Sequence, residues 1–293
     1  MSAIKPGDII IFEAGDSWLS RCIATLTDSN VSHAAMRYTG ENMVEMGASG
    51  IQLNNCQESS SGDKAYLMRL NPEKDPALLT AAAKHYLDEC VQYDSPDLVF
   101  FAGLLIFRHV RPTPQWKMIT DMILNQACAE LDKLLNILIH KKNPSPVMVC
   151  SQLVYQCYLD CGDDYKIKLE DELLQSVCMN KIRLADLVNN PAFLSAGDDS
   201  DMSPKPYFNL ENAAHDLFYA MEESDCFYDT CLLTADELNS TLNRVKRFLD
   251  TIEHILECAG IDVEVPALFI APSDLLYHAV NLKQYDTVYI SRK

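Results

Sequence analysis

The chain has 293 residues, a formal net charge of −18 and an apolar fraction of 48%. That length fits one elaborated domain or two average ones, with ample apolar content for a core. The acidic balance argues against a nucleic-acid binder, which needs a cationic face to displace counterions, and against electrostatic docking on anionic lipid.

The first seventy residues read as strands. Asp8–Phe12 is a β-branched run opened by Pro6-Gly7. Ser32–Tyr38 and Asn42–Met46 are two further runs joined by Thr39-Gly40-Glu41, a hairpin signature with Gly40 in the left-handed position. Ala65–Leu70 is a fourth candidate strand.

Helices follow. The apolar spacing predicts helices over Pro76–Gln92, Leu98–Phe107 and Pro114–His140, with Asn143-Pro144-Ser145-Pro146 as a stop. Cys150–Cys161 is the next, ended by Gly162, and a short one covers Arg183–Val188. Residues 195–265 hold 16 Asp/Glu and 4 Lys/Arg, so this stretch carries −12 of the net charge. Within it, 197–201 reads as a solvated linker and Leu210–Met221 as a short helix. Thr234-Ala235-Asp236-Glu237 is a capping box opening a long helix with an apolar stripe at Leu238, Leu242, Val245, Leu249, Ile252, Leu256 and Ala259, ending at Gly260. Such stripes are packing surfaces far more often than functional ones, and the segment is expected to be a helical insertion. Ala267–Ile270 and Thr287–Ile290 return to strand character on either side of a helix start at Pro272.

Eleven cysteines, odd in number and scattered, do not form a disulfide framework. The first residues show no basic segment followed by an apolar run, so no signal peptide is expected. The longest apolar run, Leu98–Phe107, is too short to span a bilayer. The expected setting is cytoplasmic with free thiols, or export by a signal-less route such as effector delivery.

Chemistry concentrates at Cys150. It sits just after a proline stop, at the expected first turn of a helix, where free backbone N–H groups and the dipole favour thiolate and can cradle an oxyanion. His33 lies in a predicted strand among small residues, and Glu45, between Val44 and Met46 on the next, needs a partner for its carboxylate. A hairpin with three loop residues is expected to set 33 opposite 45, side chains on one face. Nucleophile, base and orienter would then be present. The other six histidines read as surface or capping residues. No Cys-x-x-Cys occurs, so no metal or cofactor is expected; phosphate-loop and serine-elbow motifs are absent too.

These residues in this order resemble the permuted NlpC/P60 group, the YiiX-like papain-fold amidases. The likeness is carried by Gly7-Asp8-Ile9-Ile10, Ser32-His33, Glu45, Cys150-Ser151-Gln152-Leu153-Val154 and Pro272-Ser273-Asp274-Leu275. It covers roughly residues 5–70, 90–160 and 265–291. In this group the histidine precedes the cysteine along the chain. The resemblance implies an α+β, circularly permuted papain-like core, an antiparallel sheet packed on helices, with an α-helical insertion. It assigns catalysis to Cys150, His33 and Glu45, and weakly a substrate-binding role to Tyr93. Residues 1–194 and 265–293 would form the catalytic domain and 195–264 an acidic helical insertion suited to a protein partner. The insertion and the long helix at 114–140 depart from the family's core, so substrate is not inherited. The implied function is hydrolysis of a peptide or isopeptide amide through a Cys150 acyl-enzyme. Acyl transfer or thioester hydrolysis on a lipid, and a non-catalytic interaction protein, are the alternatives.

Overall fold

The computed structural model describes residues 4–47, 50–89, 96–108, 113–140, 150–170, 183–188, 212, 215, 216, 219, 235–260 and 265–291. The linker at 197–201, Tyr93, Thr234 of the capping box and most of Leu210–Met221 lie outside them.

The fold is mixed α+β. Six strands, β1 (Ile9–Glu13), β2 (Val31–Arg37), β3 (Asn42–Gly47), β4 (Gly50–Asn55), β5 (Gln57–Leu70) and β6 (Leu282–Ser291), form one sheet in the order β4-β3-β2-β1-β5-β6. Every neighbouring pair is antiparallel. Among the described residues there are seven α-helices: α1 (Trp18–Leu26), α2 (Pro76–Glu89), α3 (Pro96–Phe107), α4 (Pro114–His140), α5 (Cys150–Asp160), α6 (Leu184–Leu187) and α7 (Ala235–Ala259). No described helix is long and apolar enough to cross a membrane.

The chain divides into two compact units. One comprises 1–96, 145–176 and 266–293, the other 97–144 and 177–265. This differs from the expected boundaries, which left the 97–144 helices with the sheet. The reason is packing: α4 buries Trp116, Ile119, Ile123, Leu124, Leu131, Leu134 and Leu138, and its partner is α7. On α7, Leu238, Leu242, Val245, Phe248, Ile252 and Leu256 are buried. Polar ties fix the register of the two helices. Arg244 Nε donates to Asn125 Oδ1 (2.8 Å), Lys117 Nζ to Ser240 Oγ (2.8 Å), and Arg247 pairs with Asp132.

In the sheet unit, α2 and α5 pack on the apolar face formed by Ile9, Ile11, Ala34, Met36, Val44 and Met68. The alternate residues Ile10, Phe12, Ala35, Met43, Ala65, Leu67 and Ile290 build a smaller cluster on the opposite face. Asp8, 1% exposed, anchors β1 by accepting from Arg69 Nε (2.6 Å) and Nη2 (2.7 Å), from the Lys5 backbone N–H (2.6 Å), and from Tyr285 Oη. The Arg69 guanidinium also stacks 4.1 Å above the Tyr285 ring.

Several elements depart from expectation. Ala267–Ile270 is not a strand: Val265–Phe269 is a 3₁₀ turn, and a short apolar run fits either state equally well. β5 begins eight residues earlier than the expected strand at Ala65, because it pairs with β6 along most of its length. α1 and β4 had no counterpart in the sequence reading. α1 starts where Ser17 Oγ accepts from the Ser20 N–H, a side-chain cap.

Candidate active site

The β2–β3 hairpin has the three-residue loop 39–41, with Gly40 at φ +60°. Its register differs from the expected one. Tyr38 closes on Asn42 through a 2.9 Å backbone bond, so Ala35, not His33, stands opposite Glu45. His33 is two residues farther along β2, on the same face, and reaches Glu45 diagonally across the strands. That distance is within range of two long side chains, and His33 Nε2 is hydrogen-bonded to Glu45 Oε2. Glu45 is buried, with its side chain 5% exposed, while that of His33 is 22% exposed.

The carboxylate is held from both sides. Asn54, on β4, donates from Nδ2 to Glu45 Oε1. The β3–β4 register pairs Met43 with Asn54 and Glu45 with Gln52, so both amide residues share the Glu45 face. The sequence reading missed Asn54. Its one available signal was the alternation Ile51-Gln52-Leu53-Asn54, a strand with polar residues on the side where Glu45 needed partners.

Cys150 is the first residue of α5, a helix buried from Cys150 to Tyr158. The helix is seated at its start by Ser151 Oγ, which donates to the Ile270 carbonyl, and near its end by Tyr158 Oη, which donates to that of Gly7. With the helix so placed, the Cys150 side chain hydrogen-bonds the His33 ring. Nε2 is engaged by Glu45, which leaves Nδ1 as the nitrogen facing sulfur. The Phe12 ring flanks the imidazole, centroids 5.8 Å apart and tilted 35°.

Electrostatics follow from these contacts. Burial by itself lowers the pKa of His33. The Cys150 sulfur, through its charge and hydrogen bond, and then Glu45, outweigh burial and push it up to about 10. At neutral pH the ring is thus held as an imidazolium between a sulfur and a carboxylate. Other thiols meet the opposite environment: burial pushes Cys22, Cys128 and Cys161 up to about 11. Four of the other described histidines, His85, His140, His215 and His278, make contacts away from this site. His278, for instance, pairs with Glu170 (3.2 Å) and His140 with the Asn136 carbonyl (2.6 Å).

The three residues singled out from the sequence, Cys150, His33 and Glu45, therefore meet in one chain of contacts. Tyr93 lies outside the described residues. Such an arrangement can generate a thiolate, hold the proton that a leaving group needs, and keep the imidazole in one orientation. No protein-family model matches the sequence, and no curated protein is similar to it.

Proposed function

We propose that the protein is a cysteine hydrolase that cleaves a peptide or isopeptide amide, on a permuted papain-like core with the histidine strand before the cysteine helix. The observation that carries this reading is the Cys150–His33–Glu45 chain of contacts, with the cysteine at a helix N-terminus.

The chemistry follows from the geometry. The Cys150 thiolate attacks the amide carbonyl carbon; an S–C bond forms and the π pair moves onto oxygen. The backbone N–H groups at the N-terminus of α5 point the way that suits such an oxyanion. As the carbonyl re-forms, the C–N bond breaks and the His33 imidazolium gives its proton to the departing amine. Neutral His33 then takes a proton from water, whose oxygen attacks the thioester, and Cys150 leaves as thiolate. Glu45 keeps Nε2 engaged throughout, so Nδ1 remains the nitrogen that exchanges the proton.

Release of primary amine from a library of linear peptides and lysine-branched isopeptides tests this proposal. Turnover by the wild type should vanish in Cys150→Ala and fall steeply in His33→Ala. Equal amine release by wild type and Cys150→Ala would refute it.

A further inference from the structure

His33 and Cys150 start from opposite faces of the sheet. Phe12, Ala35 and Met43 belong to the cluster on one face, and His33, which pairs with Phe12 and lies against its ring, shares that face with Glu45. Cys150 belongs to the cluster on the other face, with Ile11, Ala34, Met36 and Val44. Two features of β2 let the imidazole and the sulfur meet. The β2–β3 pairing runs from Arg37 and Met43 only as far as Ala35 and Glu45, so among the described residues 31–34 have no partner on β3. In addition, Phe12 pairs with His33 while Glu13 pairs with Val31, which makes Ser32 the extra residue of a β-bulge. A bulge bends its strand, increases the local twist and re-aims the neighbouring side chain.

The bulge is pinned by hydroxyl groups. Ser32 is 5% exposed, and its Oγ is hydrogen-bonded to Ser20 Oγ on α1. Ser20 Oγ in turn accepts from the Gly15 N–H (2.9 Å), so the extra residue is fixed to the turn that joins β1 to α1. On the other side of the bulge, Ser29 Oγ accepts from the Val31 N–H (3.3 Å).

We infer that Ser20 and Ser32 are positioning residues: their hydroxyl pair holds the bulge that turns His33 out of its own face toward Cys150. The inference rests on the Cys150–His33 reading above. The two serines act through the backbone next to His33, not on the reacting atoms.

Alkylation of Cys150 by iodoacetamide, followed by mass spectrometry from pH 5 to 9, reads this role. Ser20→Ala and Ser32→Ala should each slow alkylation at pH 6 by about tenfold, the scale of one hydrogen bond. Both should also move the rise of the rate to higher pH, because a loosened imidazolium stabilises the thiolate less. Ser20→Thr keeps the hydroxyl and should match the wild type. The double alanine variant should be no slower than either single one, since each removes the same interaction. A role in stability alone would lower the urea midpoint and leave the pH profile in place. Cys157, 0% exposed, reports on folding and should stay unreactive. If Ser32→Ala exposes it, Ser20→Ala, at a partly exposed position on α1, carries the test. A wild-type profile in Ser20→Ala overturns the inference. So does equal slowing in Ser20→Ala and Ser20→Thr, or a loss that multiplies in the double variant. If wild-type Cys150 alkylates no faster than Cys258 at pH 6, the underlying reading falls, and this inference with it.

Discussion

Replacing Glu45 by Gln removes one charge while preserving shape, and its effect can be worked from the contacts. Glu45 accepts from His33 Nε2 on one oxygen and from Asn54 Nδ2 on the other. Asn54 can donate only to an oxygen, so it fixes the new amide with its oxygen toward Asn54 and its NH2 toward His33. Two donors then face each other. The ring relieves this by moving its proton to Nδ1, the nitrogen that must exchange a proton with sulfur. A hydrogen bond to a charged group contributes about 1.5–3 kcal/mol, which corresponds to roughly one to two pH units of imidazolium stability. The His33 pKa, held up to about 10 with the wild-type carboxylate in place, should fall by that amount. The raised value means that the imidazolium persists up to that pH and is lost above it, so the alkaline limb of activity should move to lower pH in Glu45→Gln. The wrong tautomer adds to the loss, and turnover should drop by about 10²–10⁴. The assay is amine release from the linear-peptide and isopeptide library, followed from pH 5 to 11. An alkaline limb and rate identical to wild type would refute the assignment of Glu45 as orienter.

Further outcomes are expected elsewhere in the molecule. Asn54→Ala frees one Glu45 oxygen and should slow alkylation of Cys150 by about tenfold, one hydrogen bond's worth, with Asn54→Gln recovering part of the loss; equal rates in wild type and Asn54→Ala would remove Asn54 from the site. Asp8→Ala strands a guanidinium stacked on Tyr285 and should cost about 3–5 kcal/mol in urea unfolding, where a loss below about 1 kcal/mol would show the cluster to be peripheral. Leu242→Ala, fully buried on α7 against α4, should destabilise the helical unit by about 2–5 kcal/mol and leave Cys150 reactivity unchanged.

The residues of the candidate site were more legible than their arrangement. Cys150 could be picked out because a proline stop followed by an amphipathic run marks a helix start, where a cysteine has distinct electrostatics. His33 and Glu45 could be paired because a carboxylate on a buried strand requires a partner. Their geometry was misjudged by two residues, since a three-residue loop closing Tyr38 on Asn42 sets Ala35 opposite Glu45; the contact survives only because both side chains reach diagonally. Asn54 escaped notice because amide residues are poor strand formers, and β4 becomes a strand by pairing with β3 rather than by its own preference. The partition into two units was hidden for a related reason. The stripe on α7 and the long apolar face of α4 were each visible, but periodicity identifies a buried face without naming what covers it.

The central claim is that His33 activates Cys150, and the alkylation rate of Cys150 by iodoacetamide at pH 6, compared between wild type and His33→Ala, tests it most directly. An ordinary thiol with a pKa near 8.5 is only about 0.3% thiolate at that pH. A thiolate held by the imidazolium should react about 10- to 100-fold faster, after allowing for its lower intrinsic nucleophilicity. The account predicts that wild-type Cys150 outpaces the exposed Cys258 by that factor and that His33→Ala abolishes the difference. Equal rates for Cys150 in wild type and His33→Ala would contradict it.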